Sequence, residues 1–204
     1  MNYLAHIYLS GDDEGIVVGN FIADYIKGKS YLRFPEKIQT GIILHRQIDT
    51  FTDSHLKSSE AKQLLRPEFG LYSGIIIDFF YDHFLAANWN KYSDESLRSF
   101  SKRAHAILLS HFGVLPRRIQ GFLPFLIQNR RLESYATING IIDSIRIMSK
   151  YSSLPDKHDF AKKILISNYD FLAENFHVFM SEIIDFISEQ FHVNVKRIDF
   201  AEGA

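Results

Sequence analysis

Apolar side chains in this chain recur at helical spacing almost from end to end. In the last third, Leu172, Phe176, Phe179, Ile183 and Phe186 follow one another at intervals of four, three, four and three. That is the stripe of a long helix with one buried face. The same period predicts helices near residues 14–27, 36–51, 56–66, 70–88, 93–111, 116–128, 132–150 and 156–191. Pro35, Pro67, Pro116 and Pro155 fall at the proposed starts or breaks, where a missing N–H costs least. Pro124 falls inside one of the segments. Strand signals are weak: there is no Asp-Gly hairpin, and only the tail His192–Phe200 alternates. The expected fold is an all-α helical bundle with residues 1–204 forming a single domain, a length that supports a sizeable core.

Composition narrows the function. Hydrophobic residues make up 46% and charged residues 23%, the balance of a folded soluble chain. There are no cysteines, so a disulfide scaffold, a thiolate metal site and a cysteine nucleophile are excluded together. No apolar run approaches the ~20 residues of a membrane span. The N-terminal stretch lacks a basic region and carries Asn2 and His6, unlike a signal peptide. A cytoplasmic protein with no membrane association is expected.

The net charge of -1 conceals an uneven distribution. Residues 98–131 contain Arg98, Lys102, Arg103, Arg117, Arg118, Arg130 and Arg131 and not one carboxylate. The flanking segments are both acidic. Such a stretch is either a solvated helix face or a docking surface for an acidic or phosphate-bearing partner. Nucleic acid is not the expected partner, because seven cations spread over 34 positions track a phosphate backbone poorly.

The chemistry lies in the first 90 residues. Asp24 follows the apolar stretch Gly19-Asn20-Phe21-Ile22-Ala23. His45 and Asp49 are four apart, which places imidazole and carboxylate on one helix face, with Cβ atoms about 5–6 Å apart. Asp53 comes four later and also suits a helix cap. Asp78, Asp82 and His83 interrupt the apolar run from Ile75 to Leu85. A buried carboxylate without a partner is costly and takes up a proton instead. A divalent cation compensates several such groups at once. Aspartate and histidine without cysteine suit Mn²⁺, Fe²⁺, Mg²⁺ or Zn²⁺. A lone His–Asp pair is more often a surface pair than a ligand pair. Here three separate apolar segments each carry an acid or a histidine. His105, His111, His158, His177 and His192 lack such a pattern and read as structural or exposed.

Taken in order, Met1-Asn2-Tyr3-Leu4-Ala5-His6, Gly19-Asn20-Phe21-Ile22-Ala23-Asp24, Gly41-Ile42-Ile43-Leu44-His45-Arg46 with Asp49, Thr52 and Asp53, and Asp78-Phe79-Phe80-Tyr81-Asp82-His83-Phe84-Leu85 with Trp89 resemble the acyl carrier protein phosphodiesterase family. Weaker similarity continues through Arg131-Leu132-Glu133-Ser134-Tyr135 into the final helix. Gln47 departs from the second arginine that often follows His-Arg in that family. The resemblance implies a fold related to the HD-type metal phosphohydrolases. It also implies a divalent metal, Mn²⁺ first with Mg²⁺ or Fe²⁺ as substitutes, and removal of 4'-phosphopantetheine from holo acyl carrier protein. On that basis Asp24, His45, Asp49, Asp78 and His83 are expected at the metal. Asp82 is expected as a further ligand or an orienting group. Arg46 is expected on the phosphate and His6 as general acid. The basic segment is then a surface for an acidic carrier protein. Two other readings fit the same residues: a phosphohydrolase acting on a small nucleotide or phosphomonoester, and a helical adaptor without activity.

Overall fold

The computed structural model describes residues 2–195, and its regular elements are all helical. In chain order these are α1 (Tyr3–Tyr8), α2 (Glu14–Ile22), α3 (Glu36–Ser54), α4 (Leu56–Phe69), α5 (Ser73–Ala87), α6 (Leu97–Ser110), α7 (Arg117–Gln128), α8 (Arg131–Ser134), α9 (Ile138–Tyr151), α10 (His158–Ser167) and α11 (Tyr169–Phe191). No helix among the described residues is long and apolar enough to cross a membrane.

Local chemistry sets the starts. Asp13 accepts from the backbone N–H groups of Gly15 and Ile16 to cap α2. Ser96 and Thr137 do the same for α6 and α9. His55 caps α4 by accepting from Lys57 N–H, so Asp53 is not the cap of that helix. In α11, Leu172, Phe176, Phe179 and Ile183 are fully buried and Phe186 is half-buried, as the periodicity requires.

Several boundaries differ from expectation. The first segment leaves α-geometry at Ile22 for a tight 3-10 turn over Ala23–Tyr25, which turns Asp24 out of the helix. The 156–191 segment is two helices that meet at Asn168, whose side chain bonds back to the Ile164 carbonyl. Pro67 lies inside α4 rather than at a break, while Pro124 lies inside α7, as its place in the 116–128 segment requires. Pro67 is in the last turn, and Pro124 is exposed, so water can take the freed carbonyl. Helix α1 was not foreseen, because six residues are too few to show a period. Residues 192–195 form no regular element, and the rest of the expected extended tail, through Phe200, lies outside the described residues.

Two contacts position the site. Helices α2 and α3 cross with their backbones touching at Gly19 and Gly41. A Cβ on Gly19 would stand 2.1 Å from the Ile38 carbonyl oxygen, and one on Gly41 would stand 2.2 Å from that of Ile16. Helix α1 is held at its N-terminus by Asp82 of α5, whose two carboxylate oxygens accept from Leu4 N–H (2.9 Å) and Ala5 N–H (3.1 Å). A carboxylate at a helix start satisfies orphan donors and suits the helix dipole.

Candidate metal centre

Those two contacts bring His6 of α1 against His45 of α3, with Asn20 of α2 between them. The imidazoles stack with centroids 4.0 Å apart. Asn20 Nδ2 donates to the His6 carbonyl and to Ser10 Oγ, both at 2.9 Å. Its Oδ1 is therefore the atom that faces the rings, 2.8 Å from His6 Nδ1 and 3.1 Å from His45 Nδ1. A carbonyl oxygen only accepts, so both Nδ1 atoms carry protons. In the neutral rings both Nε2 atoms then present lone pairs in one direction. There they meet Asp49, with His6 Nε2 3.3 Å from Oδ1 and His45 Nε2 3.2 Å from Oδ2. Asp24 Oδ1 lies 3.2 Å from His45 Nε2 on the outer side.

His6 Nε2 is fully buried and makes no hydrogen bond of good geometry despite its nearness to Asp49. An imidazole lone pair facing a carboxylate is two acceptors without a shared proton, which a cation resolves. His6, His45 and Asp49 offer ligand atoms within 4.8 Å of one another. His45 and Asp49 line a cavity of about 420 Å³, whose walls also carry Asp24, Asp53 and Asp78, and His6 stands behind His45. Four carboxylates around one cavity repel unless positive charge lies among them. Lys62 lies 2.9 Å from Asp53, at the edge of this group. The donor set therefore fits a divalent metal.

Titration follows the same geometry. Burial, with His45 close by, pushes the His6 imidazole down to about 4, so it is neutral at pH 7. Burial also acts to lower His45, but its bonds to Asp24 and Asp49 outweigh that and hold it at about 9. Asp49 is held well below the usual carboxylate range: burial opposes this, and the hydrogen bond from His45, with the nearby His6 ring, prevails. The bond from His45 likewise lowers Asp24. Burial raises Asp78. A histidine whose folded pKa is raised contributes stability that is complete below its unfolded value of ~6.5 and disappears as pH climbs through about 9. Without metal, the protein is therefore expected to lose on the order of 2 kcal/mol between pH 7 and pH 9.5, a figure discounted for the exposure of both carboxylates. Urea unfolding in chelator at these two pH values measures it, and a His45→Gln protein should lose much less.

The structure thus brings Asp24, His45, Asp49 and Asp78 to one cavity and sets His6 against His45 and Asp49. It separates the others. His83 follows Asp78 by five residues, a rotation of about 140° on a helix. Its ring bonds to the Tyr135 carbonyl at 2.8 Å and the Tyr169 hydroxyl at 3.1 Å, so His83 ties α5 to other elements and is not a ligand. Asp82 is fully buried with both oxygens on backbone N–H groups, so it positions α1 and does not reach a substrate. Burial pushes its carboxyl up to about 7. Arg46 donates to the Ile26 and Gly28 carbonyls at 2.9 and 3.0 Å and lies over the Tyr31 ring. It holds the loop after α2 and is not free to clamp a phosphate. In the basic segment, Arg103 is paired with Glu95 and Asp12, and Arg131 is half-buried on Ser144 and the Gly140 carbonyl. Arg98, Lys102, Arg117, Arg118 and Arg130 remain exposed. Asn20 was not foreseen as a site residue. Its only sequence signal was a polar side chain within an apolar helix.

An all-helical protein with a His/Asp cluster beside an acid-lined cavity has the layout of a helical hydrolase. Comparison with known proteins gives the particular family. Residues 1–183 match the model for acyl carrier protein phosphodiesterase. Acyl carrier protein phosphodiesterase of Yersinia enterocolitica is 33% identical over 150 residues, covering 73% of this chain and 78% of that protein. The proteins of the same name from Enterobacter sp. strain 638 and Salmonella paratyphi A are 31% and 30% identical over 180 residues, covering 88% of this chain and 93% of each. The chain belongs to the acyl carrier protein phosphodiesterase family. No solved structure matches it.

Proposed function

We propose that this protein is a divalent-metal-dependent phosphodiesterase that releases 4'-phosphopantetheine from holo acyl carrier protein and leaves the apo form. The observation that carries the metal part of this reading is the buried, unbonded Nε2 of His6 beside His45 and Asp49. The family carries the substrate. His6, His45 and Asp49 would hold the ion, and Asp24 and Asp78 offer further oxygens from the cavity wall. This mixed nitrogen and oxygen set suits Mn²⁺, with Mg²⁺ or Fe²⁺ as substitutes. When bound, such an ion supplies Lewis acidity toward the phosphoryl oxygens and a more acidic water.

The chain's own residues do the rest. Asn20 holds both imidazoles in the tautomer that frees Nε2, the role an outer hydrogen bond plays for a metal-ligating histidine. Asp82 keeps α1, and with it His6, in place. Water attacks phosphorus, the bond to the serine oxygen of the carrier protein breaks, and a proton from that water ends on the serine oxygen. The exposed cations Arg98, Lys102, Arg117, Arg118 and Arg130 form the face toward an acidic carrier protein, where complementary charge speeds encounter. Kinship with the HD-type phosphohydrolases is part of the same reading and rests on the all-helical architecture and the His/Asp donors.

The test is incubation with holo acyl carrier protein and Mn²⁺, followed by mass measurement. Loss of one phosphopantetheine mass, abolished by EDTA and restored by Mn²⁺, is expected. An unchanged carrier protein alongside turnover of a nucleotide or a phosphomonoester would establish the small-molecule reading. Purified protein that holds no metal and cleaves neither would establish the adaptor.

A further inference from the structure

Beside the acid-lined cavity runs a second depression of about 580 Å³, within the ~300–1,000 Å³ of small-molecule sites. The two share Asn2, Phe79 and Met148, so a chain leaving the first enters the second. We infer that this groove, lined by Tyr3, Phe79, Phe122, Phe125 and Tyr135, binds the pantetheine arm of the substrate. The inference rests on the phosphodiesterase reading for the identity of the arm.

Three observations carry it. The first is the topology of the substrate. Phosphorus bears two groups, a folded carrier protein and a flexible arm, and only the arm is slender enough to lie in a groove between helices. The second is chemistry. The arm has methylene and dimethyl segments broken by two amides. The groove offers rings held by one another, with Tyr3 and Phe122 5.5 Å apart and Phe122 and Phe125 5.8 Å apart. Lys150 on its wall is exposed and supplies N–H donors for an amide carbonyl. The third is charge. Arg118 precedes Gly121, Phe122 and Phe125 by three, four and seven residues, so it shares the face of α7 that lines the groove. Arg118 is exposed there, and an acidic protein attached to the arm would meet it at the mouth.

Gly121 makes the groove testable. It lines the groove, and a Cβ built on it meets nothing within 4 Å. A Gly121→Phe protein should therefore melt like the wild type while its ring occupies the space. With free pantetheine as the probe, calorimetry on the Mn²⁺-loaded protein should show binding that weakens at least 10-fold in Gly121→Phe. The KM for holo carrier protein should rise by a similar factor. In the wild type, pantetheine should compete with holo carrier protein. Should Gly121→Phe lower the melting midpoint, Ser152→Trp at the exposed rim provides the same comparison. The inference is overturned if folded Gly121→Phe keeps wild-type pantetheine affinity and KM. It is equally overturned if the wild type cleaves holo carrier protein without pantetheine competing. Failure of the underlying reading looks different: no phosphopantetheine is released by the wild type. Pantetheine binding that Gly121→Phe weakens would even then support the groove as an arm site.

Discussion

An Asp49→Asn protein is expected to fold, to lose divalent-metal binding, and to lose phosphodiesterase activity by about 1,000-fold or more, the loss of several kcal/mol of transition-state stabilisation. Asp49 is the one carboxylate that approaches both imidazole Nε2 atoms, at 3.3 and 3.2 Å. Asparagine keeps the shape and removes the charge that draws a cation between those nitrogens. The fold should survive because the Asp49 side chain is 43% exposed and belongs to no helix cap. In the metal-free variant His45 loses the charge of Asp49 and keeps Asp24 beside it, so its pKa should drop toward the ordinary histidine value. Mn²⁺ titration and a melting curve check both parts. Full metal-dependent activity in a folded Asp49→Asn protein would remove Asp49 from the centre.

The largest structural effect is expected from a single methyl group. In Gly41→Ala the new Cβ would lie 2.2 Å from the Ile16 carbonyl oxygen and 2.8 Å from the Asn20 backbone nitrogen. Both neighbours are backbone inside a helix and cannot swing aside. The helices must separate, a form of overpacking that costs about 1–3 kcal/mol and occasionally more. The gain of about 1 kcal/mol in helix propensity on replacing glycine does not offset a backbone collision. Taking ~3 kcal/mol, the melting midpoint of a chain this size drops by roughly 6–12 °C. Separation also draws Asn20 away from His45 Nδ1, now 3.1 Å distant, so metal affinity should fall together with stability. A Gly41→Ala protein with wild-type melting and Mn²⁺ affinity would show that the crossing is not what assembles the centre.

The readable and unreadable parts of the site divide along a physical line. The pairing of His45 with Asp49 was legible because it is local: four residues on a helix make neighbours whatever surrounds them. Asp24 and Asp78 were legible as anomalies, carboxylates in apolar runs. His83 was misleading for the same reason. It too interrupts an apolar run, but burial alone does not say which way a side chain faces, and the Tyr135 carbonyl and the Tyr169 hydroxyl that satisfy it lie 52 and 86 residues away. Asp82 shared the pattern of Asp78 and proved to be the anchor of α1, a short helix without a detectable period. Asn20 was hidden because its partners, His6 and His45, come from two other helices.

Helical period, helix starts and the uneven charge were all present in the chain, since each depends on residues within a turn or two of one another. What only the tertiary structure decided was which polar groups meet. Two glycines let α2 and α3 touch, Asp82 docks α1 beside them, and Asn20 turns both rings toward Asp49. The same packing withdrew Arg46, Arg103 and Arg131 from the roles their charge suggested, because loop carbonyls, acids and a buried hydroxyl reached them first. Hydrogen bonds between residues distant in sequence form only after the helices have packed, so no local pattern could announce them.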